Sequence, residues 1–256
     1  MRSRLVGLAA IIGCGVLCLA LPAQGQNSIT MTAVNGSYSS GNLCSSQSGC
    51  AQVYTGLYYS TVNNTANTAV ICDDFNHNVS VGENWQATAL NTSSLNSTNI
   101  QQTEFGSGVN GQIAPVVYAE VASLVSEMFS LNNGSGAFDG LKNVTGTDLS
   151  EAIWDITTKG GITGISSNAA ALVTYVENFF GKYSSTKALG YLNGLNLWIL
   201  TPNPNNGPQE FWSQNGPNFN VPEGGSALLY VVLAGLACFG AMSFKYRSEA
   251  GGHGVA

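Results

Sequence analysis

The chain has 256 residues, a formal net charge of −6 and 9% charged side chains, while glycine alone occupies 31 positions. Between Gln26 and Asn220 the basic residues are Lys142, Lys159, Lys182 and Lys187, set against twelve acids. So acidic and sparsely charged a body repels a phosphate backbone, which excludes nucleic-acid binding and leaves solubility to Asn, Ser, Thr and Gly.

At the N-terminus, Arg2 and Arg4 precede an apolar stretch over residues 5–21, and Ala23-Gln24-Gly25 places small residues where a signal peptidase needs them. Residues 1–25 are therefore expected to be a signal peptide cut after Gly25 or, alternatively, after Ala23. The Sec translocon and signal peptidase are its expected partners. Ile11-Ile12-Gly13-Cys14 offers a second, lipobox-like reading. The exported body, residues 26–214, is long enough for one domain with its own core.

Within that body, β-branched or alternating runs at 29–34, 53–59, 69–71 and 84–89 predict strands bounded by Gly and Asn. Cys44 and Cys50 enclose a short Ser- and Gly-containing loop that a disulfide can span in an oxidising compartment, which leaves Cys72 odd. Residues 91–99 and 201–208, rich in Asn, Ser, Thr and Pro, read as loops. Val117, Val121, Leu124, Val125 and Met128 recur at helical spacing after Pro115, a residue suited to a first helical turn. Asp148 followed by Glu151 predicts a capping box that opens a short helix through Ile156. A further helix is expected over about residues 168–183, burying Leu172, Tyr175, Val176, Phe179 and Phe180. Residues 195–201 and 210–212 read as closing strands. The expected fold class is α+β: a mainly antiparallel β sandwich or barrel with an inserted helical subdomain, plus one C-terminal transmembrane helix.

That last helix follows a spacer and motif over residues 215–225. Val221-Pro222-Glu223-Gly224-Gly225 precedes an apolar run over residues 226–244, and Lys245 and Arg247 follow it. Nineteen helical residues at about 1.5 Å each reach roughly 28 Å, enough to cross a membrane once. Basic residues are retained on the cytoplasmic side, so residues 245–256 form the inner tail and the body faces out.

The Val-Pro-Glu string, one near-terminal helix and an abrupt basic stop resemble the PEP-CTERM sorting signal of Gram-negative envelope proteins. The resemblance implies that an exosortase reads Val221, Pro222, Glu223, Gly224 and Gly225 together with Lys245 and Arg247, and that the helix is a target for removal. It also implies a matrix setting with exopolysaccharide as a partner. The family usually carries Pro where this chain has Gly224, and its tail is shorter.

Two motifs inside the body extend the likeness. Ile71-Cys72-Asp73-Asp74-Phe75, then Tyr118-Ala119-Glu120-Val121-Ala122, then Glu151-Ala152-Ile153-Trp154-Asp155-Ile156 resemble a domain that recurs in PEP-CTERM proteins. More distantly, the outer two motifs are similar to the thioester domains of Gram-positive surface adhesins, which makes Cys72 a candidate reactive thiol. In those domains the thiol attacks a Gln carboxamide two residues before Ala-Ile-Trp and expels ammonia. Ser150 stands at that position here with Glu151 beside it, and neither loses ammonia. A Cys72 packed in the core and Ala152, Ile153 and Trp154 as helix core residues are the plainer reading, with Trp154 and Trp212 as core anchors.

Other chemistry finds few carriers. His77 is the sole histidine between Gln26 and Asn220, which excludes a histidine cluster on a metal. Asp74 to Asn78 opens like a calcium loop, but Val79 and Trp85 stand where an EF-hand needs Gly and Glu. A turn held by Asx hydrogen bonds is the simpler expectation. Paired carboxylates among Asp73, Asp74 and Glu120 are the residues a hydrolase would use. The expected role is non-enzymatic, structural or adhesive in the envelope or extracellular matrix, with no metal or cofactor. A covalent thioester adhesin is the alternative, and a secreted polysaccharide-active enzyme the third class.

Overall fold

A computed structural model describes residues 27–34, 42–132, 134–138, 140–203 and 208–216. The expected signal peptide, sorting string, membrane helix and tail lie outside the described residues, as does most of the spacer. In chain order the strands are β1 (Asn27–Val34), β2 (Leu43–Ser45), β3 (Gly49–Ala51), β4 (Tyr58–Val62), β5 (Thr65–Cys72) and β6 (Asn84–Asn91). Helix α1 (Ala114–Leu131), strands β7 (Ser135–Phe138) and β8 (Leu141–Thr145), and helix α2 (Gly146–Thr157) come next. Strand β9 (Ile162–Thr163), helices α3 (Ser167–Phe180) and α4 (Ser185–Asn193), and strands β10 (Trp198–Pro202) and β11 (Phe211–Ser213) complete the order. The fold class is α+β.

Six strands close into an antiparallel barrel in the order β1-β4-β5-β11-β10-β6. The β4–β5 hairpin turns on Asn63 and Asn64, whose φ angles of 46° and 66° are those of the two central residues of a type I′ turn. Residues paired directly across antiparallel strands share a face. Tyr58 pairs with Val70, Cys72 with Phe211, and Ile29 with Trp85. The Phe211 ring meets Tyr58 and Trp85, on strands that are not its neighbours, at centroid distances of 6.0 and 5.8 Å. That contact is available only inside the barrel, so these residues, Val70 and Cys72 fill its interior.

The opposite face explains where the burial pattern changes. Trp212 pairs with Ile71 and with Ile199, and Ile199 pairs with Leu90; all four are buried although they point out of the barrel. The helices cover them, and the Tyr118 ring of α1 lies 5.8 Å from that of Trp212. Strand β4, without such a cover, alternates between buried and half-buried residues, whereas β11 is buried throughout. Helix α1 is long and apolar enough to cross a membrane by composition, yet 67% of it is buried within the protein, as befits a core helix.

Helix ends follow local chemistry with some corrections to the sequence reading. Pro115 stands in the first turn of α1, and Asn132 ends the helix in the left-handed region at φ 46°. The capping box of α2 is one turn earlier than expected, because Thr145 caps and Asp148 is its third residue. Thr145 supplies the hydroxyl that Asp148 was expected to replace. In α3, Leu172, Val176 and Phe180 are buried, but Tyr175 is half-buried and Phe179 is 49% exposed. The stretch 53–59 is a strand only from Tyr58. Helix α4 was not expected: Ser184 caps it, but Ala188 and Leu192 are its only buried residues, too few to write a periodic pattern.

A sheet in the order β3-β2-β9 and the β7–β8 hairpin stand apart from the barrel. Cys44 and Cys50 pair directly across β2 and β3 and form the expected disulfide.

Candidate functional site

Strand β5 ends at the mouth of the barrel, and its last residues diverge by strand alternation. Cys72 points inward, while the next residue continues the outward face of Ile71. Asp73 is fully buried there, and Trp212 Nε1 donates to its Oδ2 at 2.6 Å. Beside it lies Glu210, also fully buried. Tyr118 Oη donates to Glu210 Oε1 at 2.6 Å, Glu104 N donates to Oε2 at 3.0 Å, and the Thr201 hydroxyl donates to the same oxygen.

Three donors meet Glu210, whereas among the described residues Asp73 Oδ1 has no hydrogen-bond partner. Burial first, and then the Glu210 charge, push the Asp73 carboxyl well above the usual carboxylate range. Two carboxyls buried side by side take up a proton, as a pair, more readily than free carboxylates do. Burial raises Glu210 as well, and the donors around it oppose that rise.

Asp74 turns the other way, toward a cleft of about 690 Å³. Its carboxylate closes an Asx turn, with Asn76 N donating to Oδ1 at 2.9 Å, and Oδ2 meets His77 Nδ1. Asn76 links this turn to the disulfide hairpin: its Oδ1 accepts from the Ser45 and Ser48 hydroxyls, and its Nδ2 donates to Gln47 Oε1. Across the cleft stand Glu104 and the loop over residues 105–111, with Thr157 and Lys159 from the end of α2. Asn110 fastens that loop, donating to Thr158 O and accepting from Gly160 N at 2.7 Å. Gly108 is required in it: φ is +81°, and a Cβ would lie 2.1 Å from Gln112 O.

Cys72 is a free, buried thiol. Its Sγ donates to Asp74 O at 3.2 Å. Burial, aided by the Asp74 and Asp73 charges, pushes its pKa well above the ordinary thiol value, so the nucleophilic thiolate is suppressed. The Ser150 hydroxyl is engaged elsewhere, accepting from Gly56 N at 2.8 Å, and Glu151 accepts from Ser166 N at 2.7 Å. Ala152, Ile153 and Trp154 are buried, and Trp154 packs on Phe75 with ring centroids 5.7 Å apart.

The candidate carboxylates of the sequence reading thus separate. Asp73 belongs to a solvent-excluded network, Asp74 to the cleft, and Glu120 to a third place, where Gln112 Nε2 donates to its Oε1 at 3.1 Å. Glu104 and Glu210 were missed, since each is an isolated acid in sequence and gains its neighbours only through folding. The sorting residues Val221 to Gly225, Lys245 and Arg247 lie outside the described residues. No family model, curated protein or solved structure matches this chain.

Proposed function

We propose that this protein is an exported cell-envelope or extracellular-matrix protein with a structural or adhesive role, sorted by an exosortase through its C-terminal Val-Pro-Glu, helix and basic residues. The observation that carries the reading is the string from Val221 to Arg247, whose apolar run matches a bilayer and whose flanks match a sorting signal. The Cys44–Cys50 disulfide supports export, because such bonds persist in oxidising compartments.

The barrel interior supports a scaffold role. It is filled by Ile29, Tyr58, Val70, Cys72, Trp85 and Phe211, as expected of a small barrel packed with its own side chains. In this reading the barrel is a scaffold that bears a helical insertion and is held at the membrane by one terminal helix. Against the thioester alternative stand a protonated, buried Cys72 and a Ser150 that offers no amide.

The test is processing of the chain in a host that carries an exosortase. Changing Pro222 and Glu223 to Ala leaves a membrane-retained form of undiminished mass. Release and trimming equal to wild type would sink the sorting assignment.

A further inference from the structure

Asp74 and His77 come from the turn after β5, and Glu104 comes from the segment before α1. Their ligand atoms all lie within 4.8 Å of one another at the wall of the cleft. We propose that Asp74, His77 and Glu104 form a binding site for a divalent first-row transition cation of the Zn²⁺ or Mn²⁺ type, with its remaining coordination positions open to the cleft.

The donor set is one imidazole nitrogen and two carboxylate oxygens, a mixture that suits Zn²⁺ or Mn²⁺ better than the all-oxygen cations Ca²⁺ and Mg²⁺. Donors around a cation at about 2.1 Å stand roughly 3 to 3.5 Å apart, so a cation would replace the Asp74–His77 hydrogen bond and draw Glu104 in by small side-chain rotations.

Second, the backbones of all three residues are anchored from one place. Gln209 Nε2 donates to Asp74 O at 2.8 Å and also to His77 O, and the next residue, Glu210, accepts from Glu104 N at 3.0 Å. Two consecutive residues entering β11 therefore hold both ligand-bearing segments in register. Outer contacts of this kind orient metal ligands.

Third, the Glu104 side chain has no structural partner that would explain its position. Among the described residues its carboxylate accepts no hydrogen bond, and it faces the charges of Asp74 and Glu210 with His77 as the one countering group. A half-buried carboxylate held against two others is relieved by taking up a proton or by a cation bound between it and Asp74. Asp74 is itself 3% exposed, so this is no solvated acidic surface. The site uses a single histidine, and Glu104 is distant from it in sequence, so no local motif marks it.

The full-length chain in detergent, stripped with chelator, is titrated with Zn²⁺ by calorimetry. One equivalent is expected to bind, with affinity reduced at least about tenfold in both His77→Gln and Glu104→Gln. Far-UV circular dichroism checks that these variants, changed at half-buried positions, keep the fold. Absence of saturable binding below about 1 mM, or wild-type affinity in either variant, overturns the proposal. So does binding of Ca²⁺ without Zn²⁺. Independently of any variant, Co²⁺ loaded into the wild-type chain is expected to give visible ligand-field bands, and their absence counts against the site.

Discussion

Tyr118 on α1 donates its hydroxyl to Glu210 Oε1 at 2.6 Å and accepts from Phe105 N at 3.1 Å, fastening the helix layer to the barrel through a buried carboxylate. The contact joins residues 92 positions apart. It also borders Asp73, whose carboxyl burial and the Glu210 charge together push up.

Tyr118→Phe removes that donor while preserving the ring that packs on Trp212. Glu210 loses one of three donors and Phe105 N loses its acceptor, which is expected to destabilise the fold by about 1–3 kcal/mol. Guanidinium unfolding followed by tryptophan fluorescence measures the loss. An unchanged midpoint would show that the network is not structural.

Glu120 gives a pH dependence with a definite sign. Burial, opposed by Gln112 and aided by the Glu177 charge, raises its pKa from 4.5 to about 7. The folded state therefore holds a proton that the unfolded chain releases. Its contribution is fully favourable below pH 4.5 and is lost as pH rises toward 7. Wild type is expected to be more stable at pH 5 than at pH 8, and Glu120→Gln to narrow that gap by about 2 kcal/mol. Thermal unfolding across that range provides the check.

Cys72 is expected to resist iodoacetamide in the native protein and to react fully in denaturant, because burial suppresses both access and the thiolate. Peptide mass spectrometry after labelling reads this directly and separates Cys72 from the other cysteines. Loss of ammonia from a cross-linked Cys72 peptide would instead restore the thioester reading.

Replacing Cys44 and Cys50 by Ser opens a loop of sequence separation 6. Chain entropy puts the cost at about 2 kcal/mol. The effect should spread to the turn at Asn76, which the β2–β3 hairpin holds through Ser45, Ser48 and Gln47. Hydrogen exchange of the Asn76 amide is expected to quicken, while the amides of β1 and β6 stay protected.

Much of the architecture was legible before folding. Ile29 and Met31 alternate in β1, and Leu124, Val125 and Met128 recur in the second half of α1, because one face of each meets the core and the other does not, whereas residues 114–122 of α1 are buried on every side. The pattern fails where an element is too short to show a period, as in β9, whereas β11 was read as a closing strand although both its faces are covered. The choice between sandwich and barrel stayed open because strand order is not encoded in alternation.

The site was less legible still. Sequence marked Cys72, Asp73 and Asp74 as a chemical cluster, yet neighbours along an extended strand point to opposite faces. Folding divided them among the barrel interior, a buried acid pair and the cleft.

Sequence by itself determined the acidic, sparsely charged surface, the pairing potential of Cys44 and Cys50, the α+β class and the terminal string from Val221 to Arg247. Those are properties of composition and of residues near one another in the chain. Tertiary structure alone decided that Glu210 meets Asp73 and that Glu104 meets Asp74 and His77. Such pairs are set by barrel closure and helix packing over long sequence separations, and no local pattern carries that information.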